Sequence, residues 1–565
     1  MPQETDLLLA PCLSPIPEIP TFDSSHDAAA NHSVLTETKT RIIVIALFLG
    51  SFLSALDTTI VSTLLPTIAS DLDASSQMSW IATSYLLSCS AFQPLYGKLS
   101  DIFGRKILLA WSNLVFAIGC ALCGSPWTTN IWILSAGRFI AGIGGGGLTT
   151  LSTITTSDII PLRKRGVYQG LGNICFSLGC ASGSVLGAVL QQGIGWRWAF
   201  LIQVPIALIS GLLIVFVLEL PSDSPGRGLI WLEHARGNTF QWSKVTKMID
   251  FVGSITLVTS MLLLMITISF LGDPSQLSKN SWVVLILLVA GFCAKFVHTE
   301  CTIHNPMVPL RLLWENRTVF ASSFTNWFMT MSTFAVMYYI PVFWQTVFKF
   351  TPYDIGFRSI SNFVGIATGS MLAGVYMKCT GKYWNFSLVT NILYFTGILS
   401  LFACTFRNTP QGVLEYLLMF LPGFGYATML TVTLLALIAS VDFEHQAQVT
   451  SIQYAFRATG STLGVSLAGL IYQAGLQYKL YRDILGDQTL LGKYGLDQLR
   501  KWCKEILQDN SFDTSFDQRL AKEVHRGFQF SSECALGFAL AACTLGVVLS
   551  CFMREHVLGK TVPSK

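Results

Sequence analysis

The chain has 565 residues and a formal net charge of +4; 52% of its residues are hydrophobic and 12% are charged. Soluble domains carry about 25% charged residues, so this composition excludes an ordinary soluble protein and points to an all-α integral membrane protein. The charges are spread over loops without a basic stripe, which excludes nucleic acid as a partner. The fourteen cysteines, among them Cys175, Cys180 and Cys543, lie mostly in apolar segments at neither disulfide nor metal-ligand spacing, so no metal and no cofactor is expected.

Residues 1–40 are polar and lack a basic start followed by an apolar run, so they read as a tail and not as a secretory signal. Within the tail, "ETDLLL" places Glu4 ahead of Leu8 and Leu9, in the manner of an acidic dileucine signal for a cytosolic sorting adaptor. A span needs about 20 mainly apolar residues. That length predicts fourteen helices, at about 41–62, 78–97, 107–124, 131–155, 167–190, 198–218, 249–271, 281–297, 318–347, 354–377, 385–405, 412–440, 447–475 and 532–552. Lipid is their surrounding partner.

The first span contains Asp57, about 16 residues past Arg41 and roughly 24 Å along the helix, beyond the midplane. An acid at that depth costs roughly 2.5–3.5 kcal/mol to insert, which makes it a candidate for binding a cationic substrate group or a coupling proton. Pairing with Arg138, or capping by Thr58 and Thr59, is the structural alternative.

After span 2, "GKLSDIFGRK" carries Lys98, Arg105 and Lys106; after span 4 come Arg163, Lys164 and Arg165, while the loops after spans 1 and 3 carry no lysine or arginine. Basic loops stay cytosolic. The alternation adds Arg227, Arg236, Lys244, Lys247, Arg311, Arg317, Lys378 and Lys382 to the same side, with both termini in the cytosol. The sequons at Asn31 and Asn316 are then expected to stay unglycosylated.

In span 4, "LSAGRFIAGIGGGG" buries Arg138 beside glycines suited to close helix packing. Asn173, Asn326 and Arg457 are further polar residues inside spans, where cavity lining competes with helix-packing bonds. Trp196, Trp198, Tyr338 and Tyr339 read as interface or packing residues. Residues 476–531 form the one long far-side segment, expected as a solvated cap in which "LRKWCKEILQDN" makes a short amphipathic helix.

"GVYMKCTGK" after span 10 repeats the loop after span 2: Gly97, Asp101, Gly104 and Arg105 correspond to Gly374, Lys378, Gly381 and Lys382. A parallel repeat of six-helix halves is the major facilitator architecture, with the substrate site between the halves. Spans 7 and 8 are then extra. The expected division is a tail to 40, a first half at 41–218, a loop and two extra helices at 219–297, five helices of the second half at 298–475, a lumenal loop at 476–531, and the last helix and tail at 532–565.

The loop "GKLSDIFGRK" resembles the major facilitator signature loop, which implies that Gly97, Asp101, Gly104, Arg105 and Lys106 tie helix ends at a cytosolic gate. "LDTTIVSTLLPTIASDL" resembles the first-helix motif of the fourteen-span drug/proton antiporter branch, and the motif around Arg138 resembles one implicated in proton transfer. With "WIATSYLL", "SDIIPLRKRGVYQG", "IGWRWAFLIQVP" and "FRATGS", residues 41–475 are similar to fungal vacuolar basic amino acid transporters. The fifth helix departs from the antiporter pattern, with Ser184 and Val185 in "GCASGSVLGAV" where Gly-Pro is usual. The resemblance implies a transporter that moves Lys, Arg and His from cytosol to vacuole by proton antiport. A plasma-membrane exporter of drugs or organic cations, or a non-transporting amino acid sensor, are the alternatives. No nucleophile–base pair, metal cluster or phosphate loop suggests an enzyme.

Overall fold

A computed structural model describes residues 37–72, 79–220, 225–228, 250–271, 278–303, 310–350, 352–406, 412, 417–442, 445–508 and 517–556. Glu4, Leu8, Leu9 and the Asn31 sequon lie outside the described residues. No strand occurs among them. That follows from the solvent: hydrocarbon offers no hydrogen bonds, so the backbone of an apolar run must satisfy itself within a helix.

The first half comprises α1 (Glu37–Asp71), α2 (Ser79–Phe103), α3 (Arg105–Gly124), α4 (Ile131–Ile159), α5 (Leu162–Gly193), α6 (Arg197–Leu201) and α7 (Gln203–Val217). Then come α8 (Phe251–Leu271), α9 (Lys279–Thr302) and the short α10 (Leu310–Glu315). The second half contains α11 (Arg317–Thr346), α12 (Pro352–Thr380), α13 (Trp384–Thr405), α14 (Phe420–Ala439), α15 (Gln446–Gly486), α16 (Gln488–Tyr494), α17 (Leu496–Gln508) and α18 (Gln518–Ser550).

A helix lies over every segment expected from hydropathy, and nine of those among the described residues are long and apolar enough to cross a membrane by length and composition. Of the other five, α2, α5, α11 and α15 turn polar side chains inward, among them Ser88, Gln93, Asn173, Ser322, Asn326 and Gln453, and α8 is apolar over the shorter stretch Phe251–Leu264. The segment expected as one helix at 198–218 breaks at Ile202. Pro205 lacks the N–H that would bond back to Leu201, which weakens the helix at this joint. In contrast, α5 runs unbroken past Ser184 and Val185.

The packing reproduces the sequence repeat. α1 packs on α5, α2 and α3 on α4, and α3 on α7; in the second half α11 packs on α15, α12 and α13 on α14, and α13 on α18. The halves join through two crossed pairs, α2 with α15 and α5 with α12. Gly97 and Gly374, equivalent in the repeat, make these crossings possible: a Cβ at Gly97 would lie 2.8 Å from Ala447 O, and one at Gly374 would lie 2.5 Å from Gly166 O. α8 and α9 pack on each other, and α8 also touches α2 and α15.

One expectation is overturned at the far end. The helix expected to stop at 475 continues to Gly486, and the one expected to begin at 532 begins at Gln518. The amphipathic helix is present as α17, but the segment is no solvated cap: Leu499, Cys503 and Ile506 of α17 join one buried core with Leu476, Leu480 and Ile484 of α15 and Leu520 and Val524 of α18. Apolar residues three and four apart give each helix a stripe, and joining the stripes removes them from water.

Candidate transport site

Asp57 and Arg138 meet inside the first half, carried by α1 and α4. Asp57 is fully buried and Arg138 is 1% exposed. An Arg138 terminal nitrogen is ion-paired with Asp57 Oδ2, and Gln203 Nε2 donates to Oδ1 at 3.3 Å. Arg138 Nε donates to Ile81 O at 3.3 Å, and its guanidinium lies 4.3 Å from the centre of the Tyr85 ring. The Tyr85 hydroxyl is 2.8 Å from Ser54 Oγ, one turn before Asp57. Thr58 and Thr59 bond the α1 backbone at Ser54 O and Ala55 O, so they do not cap the acid. Charge neutrality comes from Arg138, and removing one partner of such a buried pair costs about 3–5 kcal/mol.

Sequence reasoning named both charged residues but missed Gln203 and Tyr85. A lone glutamine in the apolar run "FLIQVPIAL" was the available signal for the first. For Tyr85 there was none beyond its place in "WIATSYLL", since its partner on α4 is chosen by packing.

At the end of the bundle that carries the basic loops, Arg105 is 2% exposed and binds Asp101 at 2.7 Å and Asp158 at 2.9 Å, with Ser100 Oγ as a further partner. Burial pushes the Asp101 carboxyl above its ordinary range, while Arg105 draws it down. Gly104 supplies the turn at φ 95°. Gly97 belongs to the helix crossing, and Lys106 stays outside this ion network. Asp158 was visible in "SDIIPLRKRG" but was not identified as the partner of Arg105.

Asn173 of α5 and Arg457 of α15 both face the seam between the halves. The repeat pairs Ala447 O, against Gly97, with Gly166 O, against Gly374, and the same register matches Asn173 to Tyr454 and Phe176 to Arg457. Asn173 Nδ2 donates to Ser370 Oγ at 3.1 Å and to Thr431 Oγ1 at 3.3 Å, both in the other half. Arg457 reaches back toward the first half, 5.5 Å from the Phe176 ring. Thr153 and Tyr454 hydroxyls at 2.6 Å, and Arg165 donating to Gln446 Oε1 at 2.9 Å, close the seam from mid-height to the basic end. Asn326 is not part of it: fully buried within the second half, it donates to Gln453 O at 3.0 Å and accepts from Thr330 at 3.3 Å.

The other named residues have local tasks. Asn316 caps α11, accepting from Thr318 N and Val319 N, and donates to Ser440 O, so its amide is fully engaged. Trp196 is buried and donates to Asp71, whereas Trp198 is exposed; Tyr339 packs on Tyr472, whereas Tyr338 is exposed. Among the described residues no group of three or more His, Cys, Asp or Glu could hold a metal ion.

Two helical repeats about a polar seam, with a buried acid–base pair on one side of it, define an α-helical secondary transporter. Comparison with known proteins agrees. The chain belongs to the Major Facilitator Superfamily, whose family model matches residues 47–357 and 319–480. It is 34% identical over 503 residues to the vacuolar membrane amino acid uptake transporter fnx2 of Schizosaccharomyces pombe, covering 88% of this chain and 81% of that protein. It is 35% identical over 450 residues to the multidrug resistance protein fnx1 of the same organism, covering 79% and 81%. The fold matches the proton:xylose symporter XylE with a TM-score of 0.55 at 16% identity, over 92% of this chain and 95% of that one. It is a multi-pass membrane transporter and not an enzyme.

Proposed function

We propose that this chain exports basic amino acids from the cytosol into a vacuolar lumen by exchange for protons, as a fourteen-span protein with its basic end and both termini in the cytosol. The observation that carries the coupling is the buried Asp57–Arg138 pair. A proton taken up by Asp57 removes the negative charge that holds α1 to α4, while Arg138 keeps Ile81 O and the face of Tyr85 as partners. α1 is then free to move against α4. Loss of the proton restores the pair, so one titration is tied to one rearrangement of the first half. In the same cycle the Asp101–Arg105–Asp158 network acts as the cytosolic gate, holding while the seam is closed and parting when it opens. Support for the amino acid substrate comes from the sequence motifs and from the relative fnx2; support for sorting by Glu4, Leu8 and Leu9 comes from the motif alone.

Uptake of labelled lysine and histidine into vacuolar vesicles, with and without a proton gradient, tests the reading. Asp57→Asn keeps the shape and removes the charge; the expected result is a correctly sorted protein that loses gradient-driven uptake. Wild-type uptake by this variant would sink the coupling role, and loss of the folded protein would make the pair structural. A second reading, export of drugs or organic cations across the plasma membrane, is favoured by the similarity to fnx1. Surface localisation and drug hypersensitivity on deletion, without vacuolar amino acid uptake, would decide for it.

A further inference from the structure

The two most buried arginines are matched by acids: Arg138 by Asp57, and Arg105 by Asp101 and Asp158. Arg457 is different. It lines a cavity of about 10 Å³ in the seam between the halves, with Gln169 of α5, Leu430 and Leu434 of α14, and Gln453 and Tyr454 of α15. Its guanidinium lies 5.5 Å from the Phe176 ring and 5.9 Å from the Tyr454 ring. Among the described residues no carboxylate lies within 4.0 Å of its nitrogens. A cation in such surroundings is costly unless an anion reaches it, and within a membrane it marks a substrate path.

Two neutral groups lie beside it. Among the described residues, Gln453 Oε1 is buried without a hydrogen-bond partner, and the Tyr426 hydroxyl has no partner other than the Arg457 guanidinium. Tyr426 is 5% exposed and Gln453 is 4% exposed. Buried polar atoms are nearly always paired, so an orphan carbonyl on the wall of this cavity needs a reason. Gln453 and Arg457 are one turn apart on α15 and share a face. The set therefore comprises a fixed cation, a hydroxyl donor and a carbonyl acceptor at one seam.

That set complements a zwitterion. We infer that Arg457, with the Tyr426 hydroxyl, holds the α-carboxylate of the transported amino acid, while Gln453 Oε1 accepts from its α-ammonium. The inference rests on the amino acid reading above. It adds a selectivity rule: a cation without a carboxylate meets only the repulsion of Arg457. The present cavity has about the volume of one water molecule, so the substrate enters when α5 and α15 separate. The repeat explains why the anchor is single. At the equivalent position, in the register that matches Ala447 O to Gly166 O, α5 carries Phe176, which offers a carboxylate no charge.

The test uses the purified full chain in proteoliposomes, with labelled lysine uptake driven by a pH gradient. Competitors are arginine, lysine methyl ester and cadaverine, which is lysine without its carboxylate. In the wild-type chain arginine competes, and the ester and cadaverine compete at least about tenfold less well, the scale of one charge-assisted contact. Arg457→Gln raises the lysine KM by about tenfold or more and abolishes the discrimination against cadaverine, whereas Arg457→Lys retains part of it. If Arg457→Gln fails to fold, Arg457→Lys and the wild-type competition series decide. Equal competition by cadaverine and lysine, or unchanged KM and discrimination in both variants, overturns the inference alone. Absence of any lysine uptake by the wild-type chain sinks the amino acid reading and this inference with it.

Discussion

The loop between α2 and α3 and its repeat between α12 and α13 close the same end of the bundle with different chemistry. In the first, Arg105 is buried between Asp101 and Asp158. In the second, Lys382 is exposed and Tyr383, the next residue, is fully buried. Tyr383 donates through its hydroxyl to Arg554 O at 2.8 Å and through its backbone N–H to Glu555 Oε1 at 3.0 Å, while His556 N donates to the tyrosine oxygen at 3.1 Å. Each loop is strapped by chain that has just left the last helix of its half. Over α3 the strap is Pro225–Arg227, whose Arg227 O would lie 2.5 Å from a Cβ at Gly104; over α13 it is the stretch from Arg554 to His556. Backbone geometry survived the divergence of the halves, with Gly104 at φ 95° and Gly381 at φ 70°. The Asp101–Arg105 pairing did not, since the repeat carries Lys378 and Lys382 at those two positions, so the strap and turn are the shared device.

The largest contrast is expected from the charges. Arg105→Ala leaves two largely buried carboxylates, Asp101 and Asp158, without their cation, and is expected to cost about 3–5 kcal/mol; Lys382→Ala is expected to stay within about 0.5 kcal/mol. Thermal unfolding in detergent, followed by the loss of monodisperse protein, measures both. Equal costs would mean that the two loops are held by the same chemistry after all.

A smaller effect separates the turns. Gly104→Ala combines a positive φ with a collision at Arg227 O, for about 1–3 kcal/mol, while Gly381→Ala carries the backbone strain and is expected at the low end of that range. The same melting experiment orders them, and a reversed order would place the tighter strap over α13. Finally, Tyr383→Phe removes the hydroxyl from Arg554 and His556 and is expected to cost about 1 kcal/mol. Hydrogen exchange at residues 551–556 should quicken in that variant while exchange along α2 and α3 stays unchanged. Slowed or unaltered exchange in the strap would show that the tyrosine does not hold it.

How far the site could be read in advance follows the same division. Asp57, Arg138 and Arg457 stand out in sequence because an ionisable residue in an apolar run is expensive and therefore conspicuous. Tyr85, Gln203, Tyr426 and Gln453 do not, since polar neutral residues are cheap in a helix and equally suited to packing. Asn326 illustrates the ambiguity: it resembled Asn173 by its place inside a span, yet one is enclosed within its own half and the other bridges the seam. The stretch at 476–531 was read as solvated because it mixes charges with apolar residues. Its apolar residues nevertheless form stripes on three helices that bury one another.

By itself the sequence determined the membrane class, the placement of the helices, the parallel repeat and the charged members of the site, because these depend on hydropathy, spacing and motif along one stretch of chain. Tertiary structure alone decided the partners. Asp57 and Arg138 are 81 positions apart, and Tyr383 lies 173 positions from His556. Whether such residues meet is set by how helices cross, which small residues allow the approach and which polar faces turn inward. The same helix crossings leave Arg457 at the seam without an acid among the described residues, so its charge faces the cavity between the halves.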